Sequence, residues 1–161
     1  MRAWLQHGLP VRDLAAHGLQ VFLPPRWEGA IFRRPPGLGE QTFPVLHLAT
    51  IPLPRERGDF GSGVVEALGR RDVFAAVFEY GPESVGRALF AHPGLPLPLA
   101  PDDFMPDTLQ RTIPGQSGAQ RFFTERGRAF CLYAVLGSHA WRRILVPALN
   151  GVLASVKVDA G

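Results

Sequence analysis

The sequence predicts an α+β fold: a mainly antiparallel central β-sheet with helices packed on it. Three observations carry this. Gly and Pro together number 34 of 161 residues, about a fifth of the chain, and are spread throughout, so they punctuate many short elements. Several five- to eight-residue runs are apolar or alternate with period two, as strands do. The last forty residues contain a hairpin pattern followed by a run whose apolar positions recur at three and four, as on one face of a helix. Leu, Ile, Val and Phe number 48, enough for a real core. The length suits one domain. Residues 1–18 are expected as an N-terminal extension or short helix, and residues 19–158 as a single globular α/β domain.

In chain order, a short helix is expected at Val11 to Ala16, stopped by Gly18. Leu19 to Leu23 reads as a strand ending at Pro24-Pro25, which cannot donate to a ladder, and Trp27 to Arg33 reads as its partner. Phe43 to Thr50 is a third strand. Val73 to Tyr80 is almost wholly apolar and is expected at the centre of the sheet, covered on both faces. Between them, Ser62 is placed to cap a short helix from Gly63 to Leu68, with Gly69 as its left-handed stop. Ala119 to Thr124 and Ala129 to Leu136 form a hairpin across Glu125-Arg126-Gly127-Arg128. Ser138 can cap a final helix carrying Trp141, Leu145, Leu149, Val152, Leu153 and Val156, kinked by Pro147 near Arg143.

Residues 91 to 118 lack periodicity and hold six prolines. They are expected as a long loop, longer than the roughly 12 to 15 residues usual in compact domains, with a short strand at Asp107 to Ile113. Loops of this length often cover a site or a sheet face. The Leu95-Pro-Leu-Pro-Leu99 run favours an extended left-handed conformation, expected as a packed surface loop rather than a ligand for a proline-reading module.

Seventeen basic and fourteen acidic residues give a net charge of +3. Sixteen of the basic residues are Arg and one is Lys157, a bias that points to GC-rich bacterial coding and leaves no P-loop lysine. Charge is uneven: +3 over residues 1 to 71, −4 over 72 to 118, and +4 over 119 to 161. Cys131 stands alone, so there is no disulfide framework and no paired-cysteine metal or redox motif. No signal peptide, lipobox or stretch of about 20 apolar residues is visible, so a cytoplasmic protein with no membrane span is expected.

GLQVFLPPRW near the start, RFFTERGRAFCLYAVLG at the hairpin and the closing NGVLASV together resemble the PsbP-like superfamily. That superfamily includes photosystem extrinsic subunits, Ran-binding nuclear-transport factors and bacterial LpqN-type lipoproteins. The shared element is LP, two residues, then W, followed by a sheet and a last helix ending in a Val/Leu-x-Ser step. The resemblance covers about half of the chain. It implies an α/β/α sandwich and a binding or assembly role, and it carries no catalytic residue over to this sequence.

The residues themselves supply no complete chemical site. His7, His17, His47, His92 and His139 lack ligand spacing, and Asp102, Asp103 and Asp107 lack the ligand order of a calcium loop, so no metal and no cofactor are expected. Ser62, Ser117 and Ser138 do not form a nucleophile elbow. The glycines of GDFGSG, at 58, 61 and 63, have neither P-loop nor dinucleotide spacing, so anion binding there is a weak reading. The expected function is therefore a non-catalytic protein-binding or assembly subunit. Its expected contact residues are Phe104, Met105, Arg121 and Arg128, of the Arg, Met and aromatic types enriched at interfaces. A homo-oligomer is compatible with this. Two alternatives stand beside it. One is a small serine-dependent hydrolase or small-ligand-binding enzyme, using Ser117 or Ser138 with His139. The other is a weak nucleic-acid-binding module built on Arg121, Arg126, Arg128, Arg142 and Arg143 with Phe122, Phe123 and Tyr133.

Overall fold

A computed structural model describes residues 11–55 and 60–160. Strands β1 (Arg12–Ala16), β2 (Leu19–Leu23) and β8 (Lys157–Val158) form a small antiparallel sheet in the order β1-β2-β8. Strands β3 (Glu28–Phe32), β4 (Val45–Ala49), β5 (Val73–Glu79), β6 (Ser117–Glu125) and β7 (Arg128–Leu136) form a larger one, in the order β3-β4-β5-β7-β6. All of its neighbours are antiparallel. One helix, α1 (Arg142–Leu153), follows.

The two hairpins have the same cause. His17-Gly18 (φ 52° and 77°) and Arg126-Gly127 (φ 51° and 78°) are two-residue turns with both residues left-handed, the twist that lets antiparallel strands close directly. The first turn overturns the helix expected at Val11 to Ala16: Gly18 is the corner of a hairpin, and Arg12–Ala16 pairs with β2. The partner expected for β2 is also corrected. Trp27 to Arg33 supplies β3, which pairs with β4 in the other sheet. After Pro24-Pro25 the chain turns at Arg26 (φ 74°) and leaves the plane of β2.

β5 is central, as its composition predicts, and Val73–Phe78 are all buried. Alternation splits these residues between two cores. On one face Val73, Ala75 and Val77 meet Leu19, Val21 and Leu23 of β2 and Leu145, Val146, Leu149, Val152 and Leu153 of α1. On the other face Phe74, Ala76 and Phe78 join Cys131, Tyr133, Val135, Val64 and Leu68.

Among the described residues this second face is covered by loops, not by a helix. The helix expected at Gly63 to Leu68 is a 3-10 turn at Val65–Ala67 in which Ser62 caps nothing. The Glu66 carboxylate accepts the Gly63 N–H instead (2.7 Å), and Leu68, already extended, ends the turn rather than Gly69. A Cβ on Gly61 would lie 2.5 Å from the Phe74 ring, so the loop lies against the sheet too closely for a side chain there. Helical covering of both faces is therefore not what the described residues show; among them the architecture is two antiparallel sheets and one α-helix.

α1 is entered through a 3-10 turn at His139–Trp141, without a side-chain cap from Ser138, and ends at Leu153, before Val156. Ser155 ties its end to β2: the hydroxyl accepts the Phe22 N–H (3.1 Å). Residues 91 to 116 form the expected long loop, and Ser117 and Gly118 already belong to β6; Asp107 to Ile113 holds no strand, and 3-10 turns cover Pro101–Asp103 and Pro106–Thr108. The leucine-proline run is packed. Leu99 is buried, and the Asn150 side chain both accepts its N–H (2.8 Å) and donates to its carbonyl (2.9 Å). Among the described residues, no helix is long and apolar enough to cross a membrane.

Candidate functional site

β6 is an edge strand, and its outer side is only partly closed. The register with β7 turns the backbone groups of odd-numbered β6 residues inward and those of even-numbered residues outward. The long loop occupies the two ends of this outer row. Thr124 donates to His92 and accepts from Gly94 (2.9 and 2.7 Å), while Gly118 exchanges both bonds with Met105 (3.0 and 2.9 Å). Between these crossings the N–H groups of Gln120 and Phe122 and the carbonyl of Phe122 point outward with no backbone partner among the described residues, a short window on this edge of the sheet. The Gln120 carbonyl accepts from the Arg121 guanidinium (2.8 Å).

The two faces of the window differ. Phe122 joins an aromatic group with Phe90 (5.5 Å, edge-on) and Tyr80 (6.2 Å). On the opposite face Arg121 pairs with Asp103 at 3.1 Å, both side chains about one-third exposed. Met105 stands at one end, 50% exposed.

Of the four residues expected to contact a partner, Met105 and Arg121 therefore border one window. Phe104 does not; it is fully buried in the core shared with α1. Arg128 is buried as well. Its five N–H donors meet both oxygens of Glu79 (2.7 and 3.0 Å) and the carbonyls of His17, Gly18 and Asp159 (3.2, 3.2 and 3.3 Å). It fastens the β1–β2 turn and the tail after β8 to the large sheet. Phe122 and Phe123 lie on opposite faces, and Phe123 stacks on Phe130 in the core.

No family model, curated protein or solved structure matches the chain. The reading of its site accordingly stands on geometry.

Among the described residues the serines are not joined to a histidine. The Ser117 hydroxyl and His139 Nδ1 are both buried without a hydrogen-bond partner among the described residues, so neither activates the other. Asp103 accepts the Ala100 N–H (2.8 Å) besides pairing with Arg121, and Asp102 lies 3.7 Å from Arg142. Among the described residues no three His, Cys, Asp or Glu side chains gather as a metal site. His7 and Gly58 lie outside the described residues.

A feature the sequence did not mark is a cleft of about 200 Å³ on the loop-covered face, lined by Phe60, Val65, Leu109, Ile113, Gln116 and Tyr133 among others. Gln116 is 4% exposed; its amide nitrogen donates to the Val65 carbonyl (2.8 Å), but its Oε1, itself buried, accepts nothing among the described residues. An open buried acceptor costs about 1–3 kcal/mol. The Tyr133 hydroxyl accepts the Gln110 N–H (3.0 Å), and burial pushes its pKa up, which keeps the phenol a donor. Burial also raises the Cys131 thiol to about 11, outweighing the Gln120 amide that donates to it. At the end of β6, burial raises Glu125 against the opposing pull of Arg126 and the Leu95 N–H.

Proposed function

We propose that the protein is a non-catalytic binding or assembly subunit that takes an extended segment of a partner protein along the open window of β6. The observation that carries this is the outward row of backbone groups at Gln120 and Phe122, framed by the loop crossings at Gly118 and Thr124. An extended peptide presents alternating N–H and C=O groups at the matching repeat, and adding a strand to a free edge is a recurrent mode of peptide recognition. Natural proteins normally blunt such edges. Here the loop blunts both ends of β6 and passes over the core face between them, leaving the middle open.

Side chains set the preference. Arg121 and the exposed Met105 lie on the edge, and Arg121 is held by Asp103 in a partly exposed pair that an acidic residue of the partner would join or replace. The PsbP-like resemblance supports the same reading, because members of that superfamily mostly act as binding or assembly subunits. The unpaired Cys131 supports placing it in a reducing, cytoplasmic setting.

The test is selection of peptides from a displayed random library, followed by affinity measurement with wild type and Gln120→Pro. Proline at this position removes an outward N–H without breaking a bond to β7. Selected peptides should lose about tenfold in affinity on Gln120→Pro, the worth of one backbone hydrogen bond, and should slow amide exchange at Gln120 and Phe122. A library that yields no binder, or binders indifferent to the proline, overturns the reading.

A further inference from the structure

Resting on the reading of the β6 window as a peptide site, we infer that its ligand is a three-residue extended stretch, an acidic residue between two apolar ones, running antiparallel to β6 and carried on a loop or chain end of the partner protein.

The crossings set length and direction. Met105 meets Gly118 as an antiparallel bridge and Pro93 meets Thr124 as a parallel one, so Phe104 comes to lie beside Ala119 and His92 beside Phe123. Three places are left in the outer row, opposite Gln120, Arg121 and Phe122. An antiparallel stretch of three fills them, its first residue exchanging bonds with Phe122 and its third with Gln120. The Gln120 carbonyl has two lone pairs and keeps its bond from Arg121. A parallel stretch reaches the Gln120 N–H and the Phe122 carbonyl only from the places beside Ala119 and Phe123, which are taken. A longer straight strand is shut out as well, so the partner chain bends away or ends on both sides.

The two faces set the residue types, because directly opposed residues share a face. The middle residue stands on the α1 side against Arg121, at a position without ladder bonds, where opposed Cα atoms approach to about 4.5 Å. Arg121 gives one donor to the Gln120 carbonyl and one to Asp103, which leaves three of its five for a second carboxylate, and its side chain is 38% exposed. The outer two residues point to the other face. One lies beside the partly exposed Phe122; the other follows Met105 in the row, whose exposed side chain shares the face of Gly118. Aromatic and Met side chains at an interface suit apolar neighbours.

A second copy of this chain does not fit the window. Two β6 strands paired about Arg121 would bring Gly118 of one onto residues 92–94 of the other, and would set arginine opposite arginine.

The probes are end-blocked heptapeptides with Ile-Glu-Ile, Ile-Lys-Ile or Ser-Glu-Ser between two pairs of glycines. In NMR titrations of the full chain at millimolar peptide, Ile-Glu-Ile should move the backbone amide signals of Gln120 and Phe122 and bind about fivefold more tightly than either other peptide. Arg121→Glu should reverse the order of the Glu and Lys peptides. A spin label at the peptide N-terminus should broaden signals around Thr124, not around Gly118. Equal binding of the three peptides, an order unchanged by Arg121→Glu, broadening around Gly118, or no response overturns the inference. Binding that Gln120→Pro weakens but that ignores residue type overturns the ligand sequence alone, whereas binding indifferent to that proline overturns the edge reading with it.

Discussion

Arg128 and Arg121 look alike in the sequence, two arginines on one hairpin, but their surroundings separate them. Both lie on the face of the sheet that carries α1, yet Arg121 is on the edge strand and Arg128 begins the inner strand β7, bonded to Glu79 and against the β1–β2 turn. With all five donors used and the ring of Phe130 beneath it (5.4 Å), Arg128 has nothing left for a partner. Its loss should be felt in stability. Arg128→Ala leaves a buried carboxylate without its counter-ion and frees three backbone carbonyls, and a buried pair broken in this way costs about 3–5 kcal/mol. Urea unfolding of Arg128→Ala should show that loss, whereas Arg121→Ala should fall within about 1 kcal/mol of wild type, as expected for a partly exposed pair. Comparable losses from the two would refute the division. Sequence separates these arginines only once the register is known, because burial here depends on which strand has a neighbour on its far side.

At the scale of elements, α1 offers the cleanest test. Gly151 lies in its last turn, exposed, and a Cβ there meets nothing within 4 Å. Gly151→Ala therefore adds no clash and removes backbone freedom from the unfolded chain, so it should stabilise by about 0.5–1 kcal/mol and raise Tm by about 1–4 °C in a thermal melt. An unchanged or lowered Tm would mean that the helix end is not formed as described. The strong periods were legible: β5, the β6–β7 hairpin and the apolar face of α1 follow from residue pattern. The failures occur where a local signal has two readings. His17-Gly18 serves equally as a helix stop and as a hairpin corner, and only pairing with β2 decides between them. Ser62 to Gly69 carries helix-end residues, yet Gly61 and Gly63, both left-handed, and the Glu66 bond to the Gly63 amide confine it to one 3-10 turn. The β6 window was half legible, through Met105 and Arg121. The cleft was not legible, because it exists only when Leu109 to Ile113 folds back over Tyr133 and Gln116.

For the molecule as a whole, the arginine bias isolates one titration. Side-chain types that lose protons between about pH 9 and 11 are Cys, Tyr and Lys, and the chain holds one, two and one of them. Two of the four, Cys131 and Tyr133, are buried on β7 in the loop-covered core. Folding raises the thiol from 9.0 to about 11 through burial, and raises Tyr133 above its ordinary 10.0 for the same reason. A folded-state pKa above the unfolded one means that the folded chain holds its proton more tightly. The associated stability is thus complete below pH 9 and disappears as pH climbs through 11. For the thiol, two pH units correspond to about 3 kcal/mol. The urea midpoint should stay level from pH 7 to 9 and fall steeply by pH 11. In Cys131→Ala it should begin lower, from the lost packing, and fall less over pH 9 to 10, leaving Tyr133 to govern the rest. Native protein at pH 8 should also resist iodoacetamide until urea unfolds it. A midpoint level to pH 11, or equal slopes in the two proteins, would mean that the second core admits water to β7, and the cleft built on Tyr133 would then lose its dry wall.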